Sequence, residues 1–166
     1  MSVHRYIIFG NSGSGKSTRA KELKQELNLA HLDLDTLAWL PTNPPSRKPL
    51  EESEQAIDVF INTHKNWVIE GCYSDLLAYA AEYANQAIFM NLPVSLCQSN
   101  ARNRPWEPHK YESKAAQDAN LDMLLNWIAD YPNREDEFSL QAHLSLYNQF
   151  PHTKKMIIKN ENPTRF

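Results

Sequence analysis

Glycine is scarce in this chain, with four in 166 residues where average usage near 7% would give roughly three times as many. Cysteine is scarcer still. Cys72 and Cys97 are the only two, and their spacing fits neither a Cys/His zinc site nor a disulfide scaffold, so a reducing compartment is the simple expectation. No stretch approaches the roughly 18 consecutive apolar residues of a membrane span, and residues 6–9 form a short apolar run rather than the core of a secretory signal. A cytoplasmic protein that meets no membrane is therefore expected. An excess of basic charge is also lacking. Seventeen Lys+Arg stand against twenty Asp+Glu, a formal net charge of -3, which is not the electrostatic footprint of a nucleic-acid-binding domain. No internal repeat is visible. The 42% hydrophobic and 22% charged residues exclude a disordered chain or a fibre. At about 100–200 residues per domain the length allows one domain, residues 1–166.

Three of the four glycines fall within six residues. They belong to Gly10-Asn11-Ser12-Gly13-Ser14-Gly15-Lys16-Ser17, a complete G-x-x-x-x-G-K-[ST] phosphate-binding loop, with Thr18 next to it. That motif needs a strand before it and a helix after it. Residues 6–9, Tyr-Ile-Ile-Phe, are the apolar run of a buried parallel strand, and 16–27 carry Ala20, Leu23 and Leu27 on one helical face with Asn28 as a stop. In such a loop successive backbone N–H groups form an anion nest at a helix N-terminus. Lys16 then reaches the β- and γ-phosphates of ATP, and the Ser17 hydroxyl ligates Mg²⁺.

The remaining pattern alternates strand and helix, which predicts an α/β sandwich around a parallel sheet. Further strands are expected at 31–35, 67–69, 87–90 and 156–158. Helices are expected at 51–64, from a Ser74-Asp75 cap to Tyr83, and from Pro93 towards Arg102. About 65 residues separate the last two strands, far more than one helix and its loops require. They predict a helical lid insertion, with the lid at about 103–120 and helical patterns at 121–128 and 140–150. The proline-rich stretch 41–49 reads as a solvated connection in which Arg47 and Lys48 are available to an anionic acceptor. His143 reads as a packed or surface histidine, and Trp67 as core.

Ligands in open α/β sheets sit beyond the carboxyl ends of the strands. There the second strand places Asp33 and Asp35, alternating with Leu32 and Leu34 and so predicted to share one side. One carboxylate suits the Mg²⁺ shell and the other an acceptor hydroxyl. The third strand ends in Glu70-Gly71, followed by Cys72 and Tyr73, so Glu70 is a second candidate for the metal shell and Gly71 a point of close backbone approach. Arg102 and Arg104 open the lid, where guanidinium groups stabilise a transferring phosphoryl group, and Arg134 lies further on as a substrate-binding candidate.

The loop from Gly10 to Ser17, residues 34–41 (Leu-Asp-Thr-Leu-Ala-Trp-Leu-Pro) and residues 67–73 (Trp-Val-Ile-Glu-Gly-Cys-Tyr) resemble the P-loop kinase-like proteins known as DNA topology modulation proteins. That family is related to adenylate kinase. Asp33-Leu34-Asp35 also resembles the D-x-D of shikimate kinase, and Arg134-Glu135-Asp136 the R-x-D-D of adenylate kinases, with Glu137 in the last place. The chain departs from the pattern at Glu70 and Cys72, where an aspartate and an asparagine are usual, and its lid lacks zinc-type cysteines. The resemblance implies a three-layer P-loop NTPase sandwich of nucleoside/nucleotide-kinase type, strand order 2-3-1-4-5, and binding of ATP·Mg²⁺.

The expected function is transfer of the ATP γ-phosphoryl to a small-molecule or nucleotide acceptor. Lys16, Asp35, Arg102 and Arg104 would be catalytic, Ser17 with Asp33 or Glu70 would hold the metal, and Asp35, Gly71, Tyr73 and Arg134 would meet the acceptor. The alternative is a nucleotide-dependent switch without such an acceptor. A GTPase is disfavoured by the lack of N-K-x-D and D-x-x-G segments.

Overall fold

The computed structural model describes residues 2–160. Its elements run β1 (Arg5–Gly10), α1 (Lys16–Leu27), β2 (Ala30–Asp33), β3 (Trp39–Leu40), β4 (Ser46–Arg47), α2 (Leu50–Thr63), β5 (Trp67–Gly71), α3 (Ser74–Ala81), β6 (Gln86–Met90), α4 (Val94–Arg102), α5 (Lys114–Ala119), α6 (Leu121–Ala129), α7 (Leu140–Gln149) and β7 (Thr153–Ile157). Five strands form a parallel sheet in the order β2-β5-β1-β6-β7. Counted along the chain without the two-residue strands β3 and β4, that order is the expected 2-3-1-4-5. β1 is central because its Ile7, Ile8 and Phe9 are apolar on both faces and fully buried.

Alternate residues of each strand feed two cores. Ile7, Phe9, Trp67 and Ile69 join Ile57 of α2 and Leu76, Leu77 and Ala80 of α3, with Leu144 of α7 packed alongside. Ile8, Val68 and Ile88 join Ala20 and Leu23 of α1, Cys97 and Ala101 of α4 and Ile128 of α6. Helices thus cover both faces of the sheet, and each fully buried Leu, Ile, Val or Phe among them contributes roughly 1.5–3 kcal/mol. Phe9 and Phe89 stack across β1 and β6 with centroids 5.1 Å apart.

Local chemistry sets the element ends. Asn28 stops α1 in the left-handed conformation, φ 56°, a backbone state that asparagine tolerates. Ser113 and Ser139 cap α5 and α7 by accepting the amides of Ala116 and Ala142.

Three expectations need correction. The second strand ends at Asp33, and residues 34–36 turn as a single 3₁₀ turn in which Asp33 accepts the amide of Asp35 at 2.9 Å. Leu34 is fully buried, and sending it into the core bends the chain there, so Asp33 and Asp35 are not alternate residues on one strand. Ser74 and Asp75 are the first residues of α3 rather than a cap before it; Tyr73 precedes them, and the helix ends at Ala81. The stretch 41–49 is largely exposed, as a solvated connection should be, but it is more ordered than expected, because β3 and β4 pair as an antiparallel hairpin. Arg47 docks it, donating to Glu137 at 2.6 Å and Asp75 at 3.2 Å and lying 5.0 Å over the Tyr73 ring. Both terminal nitrogens of Arg47 are thus engaged by carboxylates.

Candidate active site

The phosphate loop follows β1 and is shaped by its glycines. Gly10 and Gly13 have φ of 151° and 77°, and a Cβ would lie 2.4 Å from the Met90 carbonyl oxygen at the first and 2.3 Å from that of Cys97 at the second. No larger residue fits either position. Gly15 precedes α1 in the left-handed conformation and gives it no side-chain cap, so the first amides of the helix are left for a ligand. Asn100 of α4 donates to the Gly13 carbonyl at 2.8 Å. Asn11 donates to the Ile128 carbonyl at 3.1 Å, which ties the loop to α6. The Lys16 ammonium folds back to the Asn11 carbonyl at 2.8 Å, and the buried hydroxyl of Ser14 has no partner. A cradle of amides, one orphaned hydroxyl and one lysine fits a polyphosphate.

Glu70 ends β5 beside that cradle. It is only 2% exposed, and its Oε2 accepts the Ser17 hydroxyl at 2.7 Å and lies 3.0 Å from His31 Nε2. Asp33 is its register partner on β2. Burial, then the charges of Glu70 and Asp35, push the Asp33 carboxyl above the ordinary carboxylate range. Among the described residues no three His, Cys, Asp or Glu side chains are grouped to hold a metal ion. Ser17 and Glu70 instead offer two oxygens beside a phosphate cradle, which fits a Mg²⁺ that takes its other ligands from phosphate and water.

A cleft of about 530 Å³ runs from Ser12 to Thr18 past Asp35, Glu70 and Gly71 to Arg104 and Lys110. Across it Asp35 receives two donors. Tyr73 O–H donates to Oδ1, and the Lys110 ammonium lies 3.1 Å from Oδ2. Burial alone would raise this carboxyl, but Lys110, the Tyr73 bond and the charge of Lys16 outweigh it and hold Asp35 below its ordinary value. Tyr73 is itself fixed. Its oxygen accepts Trp39 Nε1–H at 2.8 Å, its ring packs edge-on against Phe138 at 5.3 Å, and its hydroxyl is pushed well above its usual range by burial and by Asp35.

The expected site residues divide on this geometry. Gly10, Gly13, Gly15, Ser12, Ser14, Lys16, Ser17 and Thr18 form the cradle, and Asp35, Glu70, Gly71 and Arg104 line the same cleft. Asp33 and Tyr73 lie behind it, supporting Asp35. Arg102 is exposed and outside the cleft at the C-terminus of α4, where it complements the helix dipole. Arg134 is also outside. Its guanidinium lies 3.3 Å over the Trp127 ring and donates to the Trp127 carbonyl at 3.1 Å, a cation–π contact that holds it there. Arg104 is paired with Glu107 at 3.2 Å.

Sequence reasoning missed Lys110 as a site residue and did not foresee what His143 does. His143 is fully buried, its Nε2 2.8 Å from the Cys72 carbonyl and its Nδ1 2.6 Å from the Tyr131 hydroxyl. A carbonyl only accepts, so Nε2 carries the proton and Nδ1 accepts from Tyr131. The bond to the Cys72 carbonyl holds the turn after β5 that carries Cys72 and Tyr73. A histidine on an otherwise apolar helix face was the one available sign.

Neither a protein-family model nor a curated protein matches the sequence. Solved structures do match the fold. It is similar to a shikimate kinase from Acinetobacter baumannii in complex with shikimate, with a TM-score of 0.54 and 14% identity over 99% of this chain and 88% of that one. It is similar also to an unliganded sugar kinase from Janibacter sp., with a TM-score of 0.57 and 12% identity over 99% of this chain and 90% of that one. Strand order, phosphate loop and these likenesses agree: the chain has the α/β fold of the P-loop kinases.

Proposed function

We propose that the protein binds ATP with Mg²⁺ and transfers the γ-phosphoryl to a hydroxyl of a small-molecule or nucleotide acceptor. The observation that carries this reading is Asp35, a carboxylate held as an anion across the cleft from a complete phosphate cradle. A nucleotide switch has no need of an acid placed there. The loop amides and Lys16 would bind the phosphates, and Ser17 with Glu70 would hold the Mg²⁺, which supplies positive charge to the phosphoryl oxygens. Asp35 would orient the acceptor hydroxyl. Because phosphoryl transfer passes through a loose transition state, an orienting carboxylate of low pKa suffices, and Oδ2 takes up the hydroxyl proton late. Arg104 and Lys110 bring lid charge to the same cleft.

The test is ADP release from ATP·Mg²⁺ against nucleosides, nucleoside monophosphates, sugars and hydroxy acids including shikimate and gluconate, with Lys16→Ala as the control. One acceptor is expected to raise turnover to about 1–100 s⁻¹, and the control to lose it while keeping its fold. Binding of ATP with no acceptor effect across the panel would favour the nucleotide switch.

A further inference from the structure

Lys110 sits in the segment between α4 and α5, which with α5 and Asn120 is held together by bonds among its own residues. The Glu107 amide donates to Gln117 Oε1 at 2.9 Å, Trp106 Nε1–H to the Tyr111 carbonyl at 3.0 Å, and Asn120 Nδ2 to the Tyr111 hydroxyl at 2.9 Å. From this self-contained piece Lys110 reaches across the cleft to Asp35 Oδ2 at 3.1 Å, with Glu107 of its own segment further off at 3.8 Å. Asp35 Oδ1 is taken by Tyr73. Both oxygens of the carboxylate that faces the acceptor are therefore engaged before any ligand arrives. The other lid cation in the cleft, Arg104, is occupied by Glu107.

Asp35 also feels the charge of Lys16, so the phosphate cradle and the Lys110 ammonium converge on one carboxylate. A terminal phosphoryl group on that cradle carries more negative charge than a carboxylate and offers three acceptor oxygens. One ammonium on a flexible four-carbon stem serves one such partner at a time, and can swing between two.

Resting on the kinase reading above, we infer that Lys110 alternates between Asp35 and the γ-phosphoryl of a bound nucleoside triphosphate, so that triphosphate binding uncovers Asp35 for the acceptor. In the free protein the Lys110–Asp35 pair closes the acceptor side. A nucleoside triphosphate draws Lys110 away, and Asp35 Oδ2 becomes open to a hydroxyl. A nucleoside diphosphate lacks the drawing group and leaves the pair intact. The two substrates are thereby coupled through one side chain, and the nucleotide is favoured to bind first.

The experiment needs no acceptor. The affinities of a non-hydrolysable ATP analogue and of ADP, each with Mg²⁺, are measured by calorimetric titration on the full chain and on Lys110→Ala, Lys110→Arg, Asp35→Asn and the Lys110→Ala/Asp35→Asn double variant. Lys110→Ala is expected to weaken the analogue about tenfold while changing ADP less than about twofold, with Lys110→Arg restoring most of the difference. Asp35→Asn is expected to tighten the analogue over ADP by about fivefold or more, because the lysine no longer has to leave a partner. In the Lys110→Ala background that gain should fall below about twofold. An equal gain in both backgrounds would reduce the effect to simple charge repulsion and overturn the inference, as would a Lys110→Ala loss shared by ADP and the analogue. Failure of the unaltered chain to bind either nucleotide would sink the kinase reading itself, and the inference with it.

Discussion

His143 offers a quantitative test of how tightly the site is built into the core. Burial is the largest influence on its ring and pushes the pKa from its ordinary 6.5 down to about 4, against the opposing bond to the Cys72 carbonyl. The unfolded chain therefore binds this proton below about pH 6.5 and the folded chain only near pH 4. Between those values the unfolded state holds more protons, so stability falls as the pH falls. Above pH 6.5 the contribution is fully present. With these two values the loss from His143 alone is about 2 kcal/mol at pH 5 and approaches about 3 kcal/mol below pH 4. For a chain of this length that is a fall in Tm of about 4–8 °C at pH 5. Five other histidines are present, so the measurement is comparative. Urea unfolding of the unaltered protein and of His143→Gln is followed at pH 7.5 and pH 5, and the unaltered protein should lose about 2 kcal/mol more. Parallel losses would refute the reasoning. Should the variant not fold, NMR titration of the unaltered protein decides the same question, since a His143 ring that protonates near pH 6.5 is incompatible with the buried, carbonyl-bonded state.

Three further outcomes are expected. Gly13→Ala forces a Cβ to 2.3 Å from the Cys97 carbonyl, so affinity for an ATP analogue should drop by at least about tenfold while circular dichroism stays that of a folded chain; unchanged affinity would mean the loop is not seated on α4. Glu70→Gln should raise the Mg²⁺ concentration for half-maximal nucleotide binding about tenfold or more, and an unaltered requirement would remove Glu70 from the metal's surroundings. Arg47→Ala unpairs Asp75 and Glu137 and uncovers Tyr73, and should lower stability by about 2 kcal/mol in chemical denaturation. A loss under about 0.5 kcal/mol, the range of ordinary surface changes, would show that the β3–β4 hairpin is held by something else.

What the sequence made legible was local. The phosphate loop, the alternation of apolar strands and helices, and the stop at Asn28 all depend on residues within a turn or two of one another, and they sit where the spacing predicted. Asp35 does line the cleft, as its place after the second strand suggests, but not for the reason that alternation gives. Alternation assumes an extended strand, and the buried Leu34 bends the chain instead. Tyr73 is grouped with Asp35 by its place after the third strand, but its bond to Asp35 and the approach of Lys110 could not be read, because they lie 38 and about 75 residues away and meet only through the sheet order and the segment between α4 and α5. Arg134 is a different case. Its motif-like position suggests substrate contact, while in the fold its guanidinium stacks on Trp127, seven residues before it. The prolines around Arg47 mask the hairpin in the sequence, and nothing near it points to Glu137, 90 residues on.

The seating of the phosphate loop has a thermodynamic consequence. Gly10 and Gly13 rest against the carbonyls of β6 and α4, and Asn11 and Asn100 fasten the loop to α6 and α4, so this wall of the cleft is rigid before a nucleotide arrives. Its ordering entropy is lost when the chain folds and is not charged again on binding. The heat-capacity change on nucleotide association then reports mainly on the opposite wall, which residues 103–110 line and where the neighbouring Trp106 still carries apolar surface open to water. One wall sets how well phosphate is gripped, the other how the cleft responds, and the two can be altered separately.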